Sequence, residues 1–480
     1  MDSSSVAVTA ALITCCAFAG IGAWHARRTA RGQQLDDYLT ARGSVGTGLS
    51  MATLVATLAG TWIISSPALV AHYYGAAAVL GYCLGQALPM WLFPLVGNRV
   101  RELYPQATTL SDVVGERYGR SVRILVSLLG LFYMGVYLAV ELTIIAQTLQ
   151  LITGWQLAVG AALVAASTVI YAAWGGVRTA IAVDRLQVGL IVLLVGVVTW
   201  LAWTAASAVG SSAAGGDPFE KARANGQLAW TAVGWENAGV LIIGIVAANL
   251  FDNSFWARLF ACKSAAVVRR SFGVSGLAIG LILIPAAMMG WWAAGVAIED
   301  GAGYNISSLP VALITSGGSS AAAVAVLILA LLLAMSTISA LFNGLVGVLT
   351  SDARACGAPA GVGTLRAAKI GTALLAIPAV WIASFGADST YLFFIANLVC
   401  AAAVVPVFMG LWAKRLTQTW VLLAFVAALI PGALMFPKNV IGEPWLTFDV
   451  LGGQRFLTSY LLAVGISTLI GIIGARCGQK

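Results

Sequence analysis

The residues able to do chemistry in this chain are few, and they stand in apolar surroundings. The run Thr57-Leu58-Ala59-Gly60-Thr61-Trp62-Ile63-Ile64-Ser65-Ser66-Pro67 gathers a glycine, β-branched residues, two serines and a proline inside one hydrophobic stretch. Two readings are open. It is an unwound segment whose free carbonyls line a cavity, or a proline-kinked helix whose serines bond back to their own backbone. A second run places Asn249, Asp252, Asn253 and Ser254 in the inner half of a hydrophobic stretch. Polar groups at that density inside a span are usually functional, and the alternative is a helix end nearer the interface. A third carries Ser336, Thr337 and Ser339, whose ordinary fate is back-bonding within the helix. Glu141 stands alone in a fourth, either functional or a protonated carboxyl hydrogen-bonded between helices. These amides, hydroxyls and carboxyls can bind a solute or an ion, but they do not form an enzyme's apparatus. The chain has only His25 and His72, and no HExxH, GxSxG or phosphate-loop pattern. Its seven cysteines show neither CxxC nor Cys/His metal spacing, and no disulfides are expected.

The elements that must position these groups follow from composition. Of 480 residues, 26 are Lys or Arg and 18 are Asp or Glu, only 9 % of the chain, while 60 % are hydrophobic. Soluble domains carry roughly 25 % charged residues, and disordered chains are polar, so a polytopic membrane protein remains. Thirteen apolar runs reach the roughly 20 residues that cross a bilayer: 5–24, 49–74, 76–97, 121–151, 155–176, 186–208, 237–260, 272–297, 318–350, 365–385, 389–412, 417–436 and 455–475. Barrel strands would alternate over about ten residues, so the fold class is all-α. The first run has no Lys or Arg before it and no small-residue cleavage site, and is expected to be a retained helix.

Charge placement tests the count. With the N-terminus outside and the C-terminus in the cytoplasm of a cell membrane, 22 Lys and Arg fall on the cytoplasmic side and four outside. Seven acidic residues fall inside, nine outside or at the outer boundary, and two, Glu141 and Asp252, within spans. The balance is +15 cytoplasmic, −5 outer and −2 in the interior. The net charge of +8 therefore reports topology and implies no nucleic acid. The two polar-interrupted spans, the second and seventh, are five apart. Two five-span repeats, inverted relative to one another, would place them at matching positions, the usual sequence pointer to a transporter's binding site.

Several stretches resemble the sodium:solute symporter family. Leu35-Asp36-Asp37-Tyr38-Leu39-Thr40-Ala41-Arg42-Gly43 resembles its DYxxAGR opening. Tyr171-Ala172-Ala173-Trp174-Gly175-Gly176-Val177-Arg178 through Val183-Asp184-Arg185-Leu186-Gln187 resembles YxxxGGLxAVxxTDxxQ. Trp256-Ala257-Arg258 with Ala261-Cys262-Lys263-Ser264, Ala334-Met335-Ser336-Thr337, and Val405-Pro406 with Gly410-Leu411-Trp412-Ala413-Lys414-Arg415 resemble three further family motifs, in family order. The resemblance implies a LeuT-like fold in one transmembrane domain, 1–480. That fold has thirteen helices: an extra N-terminal helix (5–24), inverted five-helix repeats at 49–208 and 237–412, and two C-terminal helices (417–475). It implies a sodium site of the carbonyls of Ala56, Ala59 and Leu333 with the hydroxyls of Ser336 and Thr337, five hard oxygens suited to sodium. Three positions depart from the pattern: Leu58 replaces a polar or acidic residue, Val183 a threonine and Ala257 a glutamine.

The expectation is sodium-coupled symport of a small solute by alternating access, with sodium and lipid as the other partners and no enzyme activity. Candidate substrate contacts are Trp62, Ser65, Ser66, Gln86, Tyr137, Glu141, Asn249, Asp252, Asn253 and Asn397. Asp184, Gln187 and Arg258 are candidates for coupling or gating. An interior with two carboxyls and no Lys or Arg disfavours a lone anion, so the solute is expected to be neutral and polar, zwitterionic or cationic. The alternatives are a proton-coupled transporter of the same fold, since Glu141 and Asp252 can titrate, and a membrane sensor or regulatory subunit. With only five residues after 475, a sensor would need a separate output partner.

Overall fold

A computed structural model describes residues 3–29, 35–211, 217, 219–294, 309–315, 320–359, 361–438 and 455–477. In chain order the helices are α1 (Ser3–Thr29), α2 (Leu35–Thr40), α3 (Thr47–Leu58), a 3₁₀ turn (Thr61–Ile64), α4 (Ser66–Leu103), α5 (Leu110–Tyr118), α6 (Arg120–Thr153) and α7 (Leu157–Ser211). There follow α8 (Glu220–Ala224), α9 (Ala232–Phe251), α10 (Asn253–Ala261), α11 (Ala265–Ala293), α12 (Leu309–Thr315) and α13 (Ser320–Ala355). The last four are α14 (Val362–Ser384), α15 (Ser389–Met409), α16 (Gln418–Leu434) and α17 (Arg455–Cys477). Ten of the described helices are long and apolar enough to cross a membrane, and Thr47–Leu58, Leu157–Ile170 and Gln418–Leu434 are shorter apolar helices. Leu193, Trp200, Ile377, Ile430 and Leu469 stand exposed on their outer faces. Such a surface is a liability in water and a lipid contact in a bilayer.

Two long helices are each two helices joined at a glycine. α4 breaks at Gly75 (φ 79°) and α7 at Gly176 (φ 62°). Both backbones lie where a side chain is strained. A Cβ at Gly75 would also stand 2.9 Å from the Gln227 carbonyl, and one at Gly176 2.5 Å from the Tyr38 carbonyl. The sequence reading of a cytoplasmic loop at 177–185 is corrected here, because α7 resumes directly after Gly176 and carries Asp184 and Gln187 into the interior. Asp2, Arg31, Glu299, Asp300, Glu443, Asp449 and Lys480 of the charge tally lie outside the described residues.

Packing sorts the helices into two sets. α4 with α9 and α11 forms one, its largest interface being α4 on α11; α6, α7, α13 and α14 form the other, and α3 and α10 bridge them, α3 lying against both α11 and α7 and α10 mainly against α13. α1 packs on α7 and α13, and α17 on α15 and α16. The strand-like residue Val45 ties the start of α3 to the end of α10: its N–H donates to Ala261 (2.9 Å) and its carbonyl accepts from Lys263 (3.0 Å). The core between the sets is where α3 and α13 cross.

Candidate functional site

The α3 break is decided by where a few backbone donors go. In a continuous helix the carbonyls of Ala56 and Thr57 would accept the N–H groups of Gly60 and Thr61. Instead Gly60 donates to Leu58 (3.1 Å) and Thr61 donates to Glu141 Oε2 (2.8 Å). The chain is extended at Gly60 (φ −89°, ψ 177°) before the 3₁₀ turn begins. The freed carbonyls face α13. Ser336 Oγ donates to Ala56 (3.0 Å), and Thr337 Oγ1 lies 3.4 Å from the carbonyls of both Thr57 and Ala59. Of the two readings open for this run, the structure has the unwound segment. Ser336 and Thr337 reach across to it, while Ser339 bonds back to Ser336 (2.9 Å). The second interrupted run is also broken: Asp252 is non-helical between α9 and α10, and its carboxylate caps α10 through the Ser254 N–H (2.8 Å).

Beside Ser336 lies an ion pair. Asp184 and Arg258 are 0 % and 1 % exposed, and Arg258 Nη2 donates to Asp184 Oδ2 at 3.0 Å. Thr53 donates to the same oxygen (2.5 Å) and accepts from Arg258 Nε (3.0 Å), while Ser336 Oγ lies 2.9 Å from Asp184 Oδ1, its one hydrogen shared between that oxygen and the Ala56 carbonyl. This overturns the expectation that Glu141 and Asp252 are the only interior charges and that no Arg or Lys is inside. The pair adds one charge of each sign, so the interior balance is unchanged, and Arg258 is engaged by its partner. Gln187 is fully buried with neither amide atom hydrogen-bonded.

Above the 3₁₀ turn a cavity encloses about 690 Å³ of empty space, part of it open to solvent, within the roughly 300–1,000 Å³ usual for small-molecule sites. Trp62, Ser66, Gln86, Tyr137, Asn249 and Asn397 line it, Asn237 and Thr390 add two polar groups that sequence reasoning did not pick out, and the other walls are aromatic and aliphatic, with no Lys, Arg, Asp or Glu. Trp62 Nε1 donates to Tyr137 Oη (2.9 Å). Tyr82 stacks at a tilt on Trp62 (5.6 Å) and Phe393 edge-on to Tyr137 (5.2 Å). Asn249 Nδ2 is buried without a partner, a donor available to a polar occupant.

Four of the substrate contacts expected from sequence do not line this cavity. Ser65 is buried between the 3₁₀ turn and α4. Glu141 sits behind the turn, bonded to Thr61. Asp252 caps α10, and Asn253 donates to the Gly344 carbonyl (3.2 Å). Sequence reasoning missed Tyr82, Tyr133, Ile245 and Phe393, which also line it. The signal was present: each stands one helical turn before Gln86, Tyr137, Asn249 or Asn397, on the same helix face. Nothing in sequence marked Thr53.

Comparisons with known proteins bear on the family and the fold. The model of the sodium:solute symporter family matches residues 38–428. The spermidine transporter DUR31 of Candida albicans is 26 % identical over 395 residues, covering 80 % of this chain and 70 % of that protein. The urea active transporter of Saccharomyces cerevisiae is 22 % identical over 268 residues, 51 % of this chain but only 34 % of that protein. Among solved structures, a substrate-bound, outward-open sodium-coupled sialic acid symporter superposes with a TM-score of 0.73 at 18 % identity, covering 98 % of both chains. A nucleobase-cation-symport-1 family transporter in a closed conformation gives 0.58 at 15 % identity, covering 92 % of this chain and 94 % of that one. Likeness at such identity concerns the fold.

Proposed function

Because the chain belongs to the sodium:solute symporter family, we propose that it is a sodium-coupled symporter of a small neutral polar, zwitterionic or cationic solute. The observation that carries this reading is the crossing of α3 and α13. Freed carbonyls and two hydroxyls converge there, directly below a cavity with polar amides and no charged side chain. Carbonyl and hydroxyl oxygens are the donors that a hard monovalent cation takes, and unwound backbone in transporters supplies them. The donors of Ala56, Ala59, Leu333, Ser336 and Thr337 would hold sodium, which is here a co-transported substrate. Each hydroxyl now pointing at a carbonyl would turn its hydrogen away and offer its lone pair.

Coupling follows from connectivity. Ala59 and Trp62 belong to the same broken segment, so the order that a cation imposes on the break also fixes the indole at the cavity floor. Sodium and solute then each bind better when the other is present, as reciprocity requires. In alternating access the set of α4, α9 and α11 rocks against the set of α6, α7, α13 and α14, and the cation site lies where α3, which bridges them, meets α13. Ser66, Gln86, Asn249 and Asn397 hydrogen-bond the solute, and Trp62 and Tyr137 cover its apolar or cationic face. The polyamine and urea named for the two relatives, one cationic and one neutral, both suit a cavity without basic side chains. We place thirteen crossings in the bilayer, as inverted repeats with three additional helices, the N-terminus outside and the C-terminus in the cytoplasm. Inward sodium flow supplies roughly 2.3 kcal/mol per charge per 100 mV beyond its concentration gradient.

The test is uptake into proteoliposomes with an imposed sodium gradient, using radiolabelled amines, amino acids, urea and sugars. The expected result is sodium-dependent accumulation of one class, lost or shifted at least tenfold in half-saturating sodium by Ser336→Ala and Thr337→Ala. Sodium-independent uptake, or unchanged sodium dependence in both variants, would refute the coupling. A proton gradient replacing sodium would favour the proton-coupled reading, for which Glu141 and Asp252 are the buried carboxyls.

A further inference from the structure

Glu141 was expected among the solute contacts, yet the cavity does not include it. It lies on α6, fully buried, behind the break in α3. Both its hydrogen-bond donors come from one residue: Thr61 N–H (2.8 Å) and Thr61 Oγ1–H (2.6 Å) donate to Oε2, with the Trp62 amide close by. Oε1 has no partner and lies against Gly60 so closely that a Cβ there would collide with it.

The two donors on Oε2, the Thr61 N–H and hydroxyl, favour the carboxylate, as would a cation held on the other side of the break. No Lys or Arg among the described residues forms an ion pair with it. The other carboxylate beside the break, Asp184, is already matched by Arg258. The five donors proposed for the cation are all neutral. A cation in an otherwise neutral cage and a carboxylate without a counter-charge are therefore separated only by the backbone from Ala59 to Thr61. By accepting the Thr61 N–H, Glu141 also keeps the Thr57 carbonyl free of its helical partner.

We infer that Glu141 is the counter-charge of the coupling cation: a positioning residue that acts through the Ala59–Thr61 backbone and sets cation affinity without touching the solute. This rests on the sodium reading above. The charge is separable from the hydrogen bond, because the amide oxygen in Glu141→Gln can still accept from Thr61. Two measurements test it on the purified full-length protein and in proteoliposomes: the sodium concentration giving half the maximal thermal shift, and half-saturating sodium for uptake. Glu141→Gln is expected to raise both roughly tenfold, the order of effect of one unit charge acting across the Ala59–Thr61 backbone at an effective dielectric of about 20. The solute KM at saturating sodium should stay within twofold, and the melting temperature without sodium should be at or above that of wild type, because an uncompensated buried charge is removed. Glu141→Asp, which keeps the charge, should restore most of the sodium affinity. A wild type that responds to sodium and a Glu141→Gln protein with the same half-saturating values would overturn this inference alone. A change in solute KM equal to the change in sodium affinity would overturn it in favour of direct solute contact. If Glu141→Gln does not fold, Glu141→Asp decides: sodium affinity near wild type supports the counter-charge, and its loss overturns it. No sodium response in the wild type would instead remove the sodium reading itself.

Discussion

The Asp184–Arg258 pair gives a sharp stability prediction. Both side chains are at most 1 % exposed, and Thr53 and Ser336 complete the carboxylate's hydrogen bonds. Arg258→Met leaves that carboxylate buried and uncompensated. Asp184→Asn keeps acceptors and donors for Thr53 and Ser336 but leaves the guanidinium unmatched, with only the Ser254 carbonyl (3.2 Å) and Thr53 beside it. Removing one partner of a buried pair costs about 3–5 kcal/mol. Removing both abolishes the unmatched charge and leaves mainly the repacking cost, about 1–2 kcal/mol for near-isosteric changes. The double variant should therefore be more stable than either single one, with a coupling energy of at least about 2 kcal/mol. Asp184→Asn also weakens the hold on Ser336, so sodium should protect it less. The assay is thermal melting of the four proteins in one detergent, with and without sodium, arranged as a double-mutant cycle. Additive losses would refute the reasoning, since they would mean that neither charge depends on the other.

Two further outcomes follow from particular contacts. Tyr137→Phe removes the acceptor of the Trp62 indole N–H, and an unpaired buried donor costs about 1–3 kcal/mol; solute KM should rise roughly tenfold in uptake assays while half-saturating sodium changes little. Asp112, in α5 against α6 and α13, is pushed up by burial. Hydrogen bonds from Ser351 and Thr108 and the Arg123 charge outweigh that and hold its carboxyl below the usual range. A depressed folded value means that its stabilisation is present above the ordinary aspartate value and is lost as pH falls through the folded one. Acid melting curves of wild type and Asp112→Asn should therefore converge as pH drops below about 4, and a gap that persists there would contradict this.

Much of the architecture was legible because hydrophobic length and charge position obey simple rules. The scarcity of charge announced a membrane bundle, and glycine, serine and proline in one run marked the α3 break. The site was legible in part. Trp62, Ser66, Gln86, Tyr137, Asn249 and Asn397 could be picked out as polar or aromatic groups in apolar runs. Their neighbours one turn earlier were passed over, although helix periodicity pointed to them. Asp184 was read as a loop charge because a glycine pair followed by Arg178 looks like a boundary, whereas Gly176 only redirects the chain.

The sequence by itself determined the class of protein, the family through motifs spread from Leu35 to Arg415, and the runs where a helix could fail. These are local properties: hydropathy, glycine conformational freedom and proline's missing donor act within a few residues. Only the tertiary structure decided who meets whom. It matched Asp184 with Arg258 across 74 positions, placed Ser336 and Thr337 against carbonyls about 280 residues away, and turned Glu141 from the cavity to the back of the break. The physical reason is that a buried charge is tolerable only beside its complement, and complementarity is a property of packed helices that no single run of residues contains.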